Sequence, residues 1–258
     1  MLIDDDIIIK YLSGQNPDSY KNSWIYSSVG REYMFEIPNP SNVEWVLKLY
    51  EKLKKQIRDF KPCNYELIKK LFPNFDDVVR DYTIMFVVGF PDPYDAMVLK
   101  HDNTEYMVFD LIQFGQDSLD ESYSCHRVLT HELLHICLRK KRPEISGLSY
   151  VNDLNYMMFD EGFAHALSYS ENICDFKFDD FLKDKYERSR AALKRSVIET
   201  DIEKQKACRV SADTGDYWDK FGSISGMLYI LKNLNSIVEI YNNGWKDFSD
   251  KIINDTDC

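Results

Sequence analysis

Histidine is scarce in this chain, five among 258 residues, and so is any long apolar run. The longest such run, residues 84–90, falls far short of the roughly 20 residues that a membrane helix needs, so no membrane partner is expected. Positive charge is in deficit: 32 Lys and Arg stand against 43 Asp and Glu, a net charge of −11. That balance argues against a nucleic-acid-binding face. The six cysteines, at 63, 125, 137, 174, 208 and 258, form no C-x-x-C pair. Neither a zinc knuckle nor a redox dithiol is therefore expected, and a reducing cytoplasm is the simplest setting. The start, Met1-Leu2-Ile3-Asp4-Asp5-Asp6, is acidic where a secretory leader would be basic. There is no internal repeat and no low-complexity linker. What the chain does have is aromatic bulk, 17 Tyr and 15 Phe, enough for a sizeable core in one large domain or a core with two subdomains.

The pattern of elements predicts an α+β fold. Residues 1–40 are irregular, with a short helix near 5–12. Ser41 followed by Glu44 reads as a capping box. It opens a helix whose apolar stripe is Val43, Val46, Leu47, Tyr50, Leu53, Ile57 and Phe60, with Lys52, Lys54, Lys55 and Arg58 on a solvated face. A short helix is expected at 65–71. Residues 82–88 are β-branched and aromatic, bounded by Gly89 and Pro91, which reads as a buried strand. Two more strands are expected at 96–100 and 105–112, joined by a turn at Asp102-Asn103. Ser118 and Glu121 form a second capping box ahead of a helix that ends in Arg139-Lys140-Lys141-Arg142, four bases suited to a solvated helix C-terminus. Cys125 and Cys137 on that helix are expected to pack as small apolar residues. Further helices are expected from Asn152 to about Tyr169, over 176–204, and from about Asp216. In the last of these, Gly222, Ser223, Ser225 and Gly226 would permit close helix contact. The predicted organisation is a helical region 1–80, a core 81–174 and a helical C-terminal subdomain 175–258.

Two of the five histidines fall in Thr130-His131-Glu132-Leu133-Leu134-His135. His-Glu-x-x-His is a zinc-peptidase signature with a mechanical basis. On a helix, positions four apart share a face, so His131 and His135 can hold one metal ion between them. Glu132 flanks that face, within reach of a metal-bound water without being a ligand, and could take its proton. His126 is five positions before His131, about 140° round the helix, and His101 lies in a predicted turn. Both are expected at the surface.

A catalytic site needs a third protein ligand and an open position. The short completion His-Glu-x-x-His-x-x-Gly-x-x-His fails, because Leu138 and Lys141 stand in place of the glycine and last histidine. Glu161, in Phe159-Asp160-Glu161-Gly162-Phe163-Ala164, is the better candidate. It shares a predicted helical stripe with Leu154, Met158 and His165, and a glutamate on an apolar stripe is costly to bury unless paired or metal-bound. Gly162 beside it would let its helix approach the motif helix closely.

His131-Glu132-Leu133-Leu134-His135 followed by Glu161-Gly162-Phe163-Ala164 resembles the gluzincins, the clan of thermolysin and aminopeptidase N. Within it, the spacing is similar to that of small bacterial predicted zinc proteases with a His-Glu-x-x-His…Glu-Gly-x-Ala pattern. The match covers residues 130–166, and Asp160 stands where the aminopeptidase motif has asparagine. The chain has no Gly-x-Met-Glu-Asn motif, so the resemblance does not imply an aminopeptidase. It implies a zincin-like core with a small sheet before the motif helix and a mostly helical C-terminal half. It implies one zinc per chain on His131, His135 and Glu161, and hydrolysis of a peptide or protein substrate with Glu132 as general base. It also implies an oxyanion donor, for which Tyr217 and His165 are the candidates, and a sheet edge that binds extended peptide, for which residues 105–112 are the candidate. The alternatives are a zinc amidohydrolase acting on a non-peptide amide, and a catalytically idle zincin-fold sensor or interaction protein. Retention of Glu132 counts against the last.

Overall fold

The apolar stripe at 43–60 is largely one helix in the computed structural model, which describes residues 1–258 apart from 30, 31, 81, 93, 103, 118–124, 144 and 256–258. In chain order the elements begin with strand β1 (Leu2–Asp4) and helices α1 (Asp6–Leu12), α2 (Val43–Arg58), α3 (Tyr65–Leu71) and α4 (Phe75–Arg80). Strands β2 (Thr83–Val87), β3 (Ala96–His101) and β4 (Thr104–Asp110) follow. Then come helices α5 (Leu111–Asp117), α6 (Cys125–Lys141), α7 (Tyr150–Ser168), α8 (Asp180–Ser196), α9 (Ile202–Ser211), α10 (Phe221–Lys232), α11 (Ile237–Asn243) and α12 (Phe248–Ile253). The fold is mixed α+β, a four-stranded sheet in a mostly helical chain. No helix among the described residues is long and apolar enough to cross a membrane. The chain divides into two units, residues 1–61 with 74–132 and residues 62–73 with 133–258, and α6 contributes to both.

The first unit holds the sheet, in the order β1-β2-β4-β3. β2 lies parallel to both β1 and β4, and β3 runs antiparallel to β4. A parallel strand buried on both faces reads as a continuous apolar run, and Ile84, Met85, Phe86 and Val87 are all buried. The β3–β4 hairpin turns at Asp102, whose φ is +45°; Asn103 lies outside the described residues. β4 is an interior strand, hydrogen-bonded on both sides, so residues 105–112 are not the sheet edge expected of them; the outer strands are β1 and β3. β4 also ends sooner than expected. The buried Asp110 carboxylate accepts the backbone N–H groups of Ile112 and Gln113, which turns the chain directly into α5. Its other oxygen accepts Phe90 N–H at 2.7 Å.

Helix α2 buries Val46, Tyr50, Leu53 and Ile57, whereas Leu47 is 40% exposed. Ser41 does not cap it. Asn39 accepts Ser41 N–H and starts a 3-10 turn that runs into the helix, and Glu44 instead pairs with Lys48 one turn on. Lys54 leaves the solvated face to reach Asp5 at 2.7 Å. The capping box at Ser118 and Glu121 lies outside the described residues.

The second unit is built on the crossing of α7 with α10. Gly162 and Gly226 meet there: a Cβ on Gly226 would lie 2.3 Å from the Met158 carbonyl oxygen, and one on Gly162 would lie 2.8 Å from Gly226 C. Gly162 thus serves contact with α10, not with the motif helix as expected. Ser149, not Asn152, precedes the first turn of α7. The stretch read as one helix over 176–204 is two. Asp179 caps α8 by accepting Leu182 N–H, and Asp201 caps α9 by accepting Lys204 N–H, so a carboxylate restarts the chain after the break. None of the ten residues of α9 is buried. Phe159, Phe163, Tyr241 and Phe248 form an aromatic cluster beneath α7.

A candidate metal centre on α6 and α7

Helix α6 carries His131 and His135 one turn apart, and α7 supplies Glu161. Ligand atoms of the three residues all lie within 4.8 Å of one another. His135 Nε2 is 3.4 Å from Glu161 Oε1, and His165 Nε2, one turn further along α7, is 3.6 Å from Glu161 Oε2. Two imidazole nitrogens therefore face one carboxylate. His135 is buried, while His131, Glu132 and Glu161 are half-buried.

The other ring nitrogen of His135 is fixed. Nδ1 lies 2.8 Å from Asp160 Oδ2, which leaves Nε2, on the Glu161 side, to give a lone pair to a metal. Asp160 is buried and receives Arg139 as well, with Nε at 3.3 Å and an Nη at 3.1 Å from the same oxygen. Burial opposes the Asp160 charge, but His135 and Arg139 beside it hold its pKa below the ordinary carboxylate value. Asp160 and Glu161 are consecutive, so their side chains leave α7 about 100° apart. One turns to each nitrogen of the same histidine. Two histidines and a carboxylate make the donor set of a divalent-metal site with a position to spare, and a carboxylate behind a ligating histidine is what such sites use to orient the ring.

Tyr217 lies in a separate 3-10 turn, Tyr217–Asp219, rather than at the head of the last major helix. Its ring meets His165 edge-on, with centroids 5.5 Å apart, and its hydroxyl donates to Met227 Sδ at 3.4 Å. The two proposed oxyanion donors thus sit against each other, with His165 the one beside Glu161.

Of the basic run ending α6, Lys140 and Lys141 are exposed as expected of a solvated terminus, and the two arginines are not. Arg139 is bound to Asp160, and Arg142 donates to the Tyr241 carbonyl with its guanidinium 4.6 Å above the Tyr241 ring. Arg139 was the residue missed from sequence. Its signal was available: it follows His135 by four positions, on the same face, opposite an acid next to the candidate ligand. Cys137 is buried as expected, and burial pushes its thiol up to about 12. His126 and His101 are half-exposed, each resting on an aromatic ring. His126 rests edge-on against Phe60 with a ring nitrogen on the Lys61 carbonyl, and His101 stacks on Trp24 at 4.1 Å.

Comparison of the chain with known protein families, with curated proteins and with solved structures finds no match in any of the three.

Proposed function

We propose that this chain is a zinc-dependent metallopeptidase of gluzincin type. The observation that carries the reading is the convergence of His131, His135 and Glu161 within 4.8 Å, the glutamate arriving from a second helix after 25 intervening residues. His131, His135 and Glu161 would hold the ion, one per chain. Bound there, zinc would lower the pKa of a coordinated water to about 7 and polarise the substrate carbonyl. Glu132 takes the water proton as its oxygen bonds to the carbonyl carbon, then delivers that proton to the amine nitrogen as the C–N bond breaks. Asp160, braced by Arg139, holds the His135 ring in the tautomer that presents Nε2. His165 and Tyr217 are the candidates to donate to the oxyanion, Tyr217 after its hydroxyl leaves Met227. The substrate class is a peptide or protein. The zincin-like core comprises the sheet, α6 and α7.

Glu132→Gln tests the reading. Glutamine keeps the shape but cannot accept the proton, so the variant should keep its zinc and its melting temperature while kcat for peptide hydrolysis falls on the order of a thousandfold. Undiminished turnover would remove Glu132 from the mechanism. A folded wild-type protein that takes up no zinc would remove the reading altogether.

A further inference from the structure

The Glu161 carboxylate is shared between two imidazoles. Oε1 stands 3.4 Å from His135 Nε2, and Oε2 stands 3.6 Å from His165 Nε2. Two donors bound at about 2.0–2.2 Å to one tetrahedral ion lie roughly 3.3–3.6 Å apart, so Oε1 and His135 Nε2 are already spaced as ligands of one ion. His165 is not among the three residues whose ligand atoms converge. It follows Glu161 by four positions on α7, the spacing at which two side chains of a helix meet.

The second oxygen, Oε2, has to be satisfied. The Glu161 side chain is 17% exposed and that of His165 15%, so bulk water reaches neither freely. A charged oxygen in such a place needs a donor, even when its neighbour is on a metal. Left without one, Oε2 turns to the ion as well, because carboxylates bind metals through one oxygen or two. A bidentate glutamate takes up the position that a catalytic zinc keeps for water. The imidazole N–H supplies the donor. Nε2 stands just outside hydrogen-bonding range, and a small rotation of the glutamate's terminal torsion closes the gap. The His165 ring is itself braced edge-on against Tyr217.

We propose that His165 is a positioning residue of the metal centre: its Nε2–H holds Glu161 Oε2 off the ion, so that Glu161 binds through Oε1 alone and the fourth position stays open. The proposal rests on His131, His135 and Glu161 holding the ion. His165 then acts through Glu161 and touches no substrate. An N–H committed to Glu161 is not offered to an oxyanion, which leaves that role to Tyr217.

The test reads coordination number with Co2+, whose visible absorption is strong in a four-coordinate tetrahedral field and weak once a fifth ligand enters. Full-length, chelator-stripped protein is loaded with Co2+ as wild type, His165→Phe and His165→Gln. Phenylalanine keeps a ring against Tyr217 but has no donor, whereas glutamine keeps an N–H donor at similar reach. The wild type should show the strong four-coordinate spectrum. His165→Phe should still bind Co2+, with its visible absorption per bound ion reduced by about half or more, and His165→Gln should keep the wild-type spectrum. A weak spectrum in the wild type would overturn the proposal whatever the variants do. So would a wild-type spectrum in His165→Phe, a weak one in His165→Gln, or loss of the ion from His165→Phe, which would make His165 a ligand. The two readings fail differently. A folded wild-type protein that takes up no Co2+ removes the metal centre and this proposal with it, whereas bound Co2+ with a spectrum indifferent to residue 165 removes this proposal alone.

Discussion

Replacing Gly226 by alanine introduces one methyl group into the α7–α10 crossing, and two opposing effects decide its consequence. Alanine is the better helix former, by about 1 kcal/mol. The new Cβ, however, would stand 2.3 Å from the Met158 carbonyl oxygen, with Gly162 Cα and Met158 C each at 3.2 Å. Ordinary contact starts near 3.4 Å, so relief requires a displacement of about 1 Å (3.4 less 2.3) between two helices. The atoms in the way are backbone, which has no rotamer to change. Overpacking of this kind costs about 1–3 kcal/mol, and a rigid backbone partner puts the cost at the upper end. The net expectation is a loss of about 2 kcal/mol. With a urea m-value of about 2 kcal/mol per molar, the unfolding midpoint drops by about 1 M. The same displacement reaches the metal centre, because Glu161 precedes Gly162 on α7. A metal–oxygen bond tolerates about 0.2 Å, so zinc affinity measured by isothermal titration should fall at least tenfold in the folded variant. Urea denaturation followed by far-ultraviolet circular dichroism checks the first effect. A Gly226→Ala protein as stable as wild type, binding zinc equally well, would refute the account of this crossing.

Glu161→Gln should weaken zinc binding by at least about tenfold while His165→Ala keeps the metal, both measured by titration into chelated protein. The reverse result would make the third ligand a histidine and end the gluzincin reading. Asp110 predicts a pH dependence. Burial pushes its pKa from 3.8 to about 7, against the backbone N–H groups that pull it down. A folded-state pKa above the unfolded value means that the folded protein holds the proton more tightly. The contribution is thus fully present below about pH 4 and lost as pH rises through about 7, up to roughly 4 kcal/mol in all. Denaturant unfolding across that window should show wild type losing stability relative to Asp110→Asn, and a constant difference would refute it.

What was legible in the sequence followed from periodicity. Val46, Tyr50, Leu53 and Ile57 repeat at helical spacing and are buried, and the unbroken apolar run at 84–87 is a strand covered on both faces. What was not legible depends on partners distant along the chain. β1 is three residues with no pattern of its own, ordered by pairing with β2 some eighty positions later. The end of β4 is set by the Asp110 carboxylate finding backbone donors, a matter of three-dimensional reach. At the candidate metal centre the His131–His135 spacing was readable because one helix supplies both residues. Glu161 was readable as a misfit on an apolar stripe. Which helix Gly162 would face was not, because a helical pattern gives the angle of a side chain and not the identity of its neighbour.

Helix α9 has a different consequence. A ten-residue helix is shorter than the 12–15 residues or so that persist unaided in water, and this one buries no residue of its own. Its attachments include the Asp201 cap, a hydrogen bond from Gln205 to the Glu199 carbonyl, a side-chain hydrogen bond between Cys208 and Tyr150, and an ion pair of Arg209 with Asp153 at 2.7 Å, both partners partly exposed and the pair worth about 1 kcal/mol or less. Its amide protons should therefore exchange with solvent through local opening, long before those of α7 and α10. The opening has a natural stop. Just past the helix, Ala212 is fully buried, and its carbonyl accepts Gly222 N–H and Ser223 N–H at the start of α10. Fraying that spreads from α9 ends at that carbonyl, so the chain can shed a whole helix as a separate cooperative step while the α7–α10 pair stays closed.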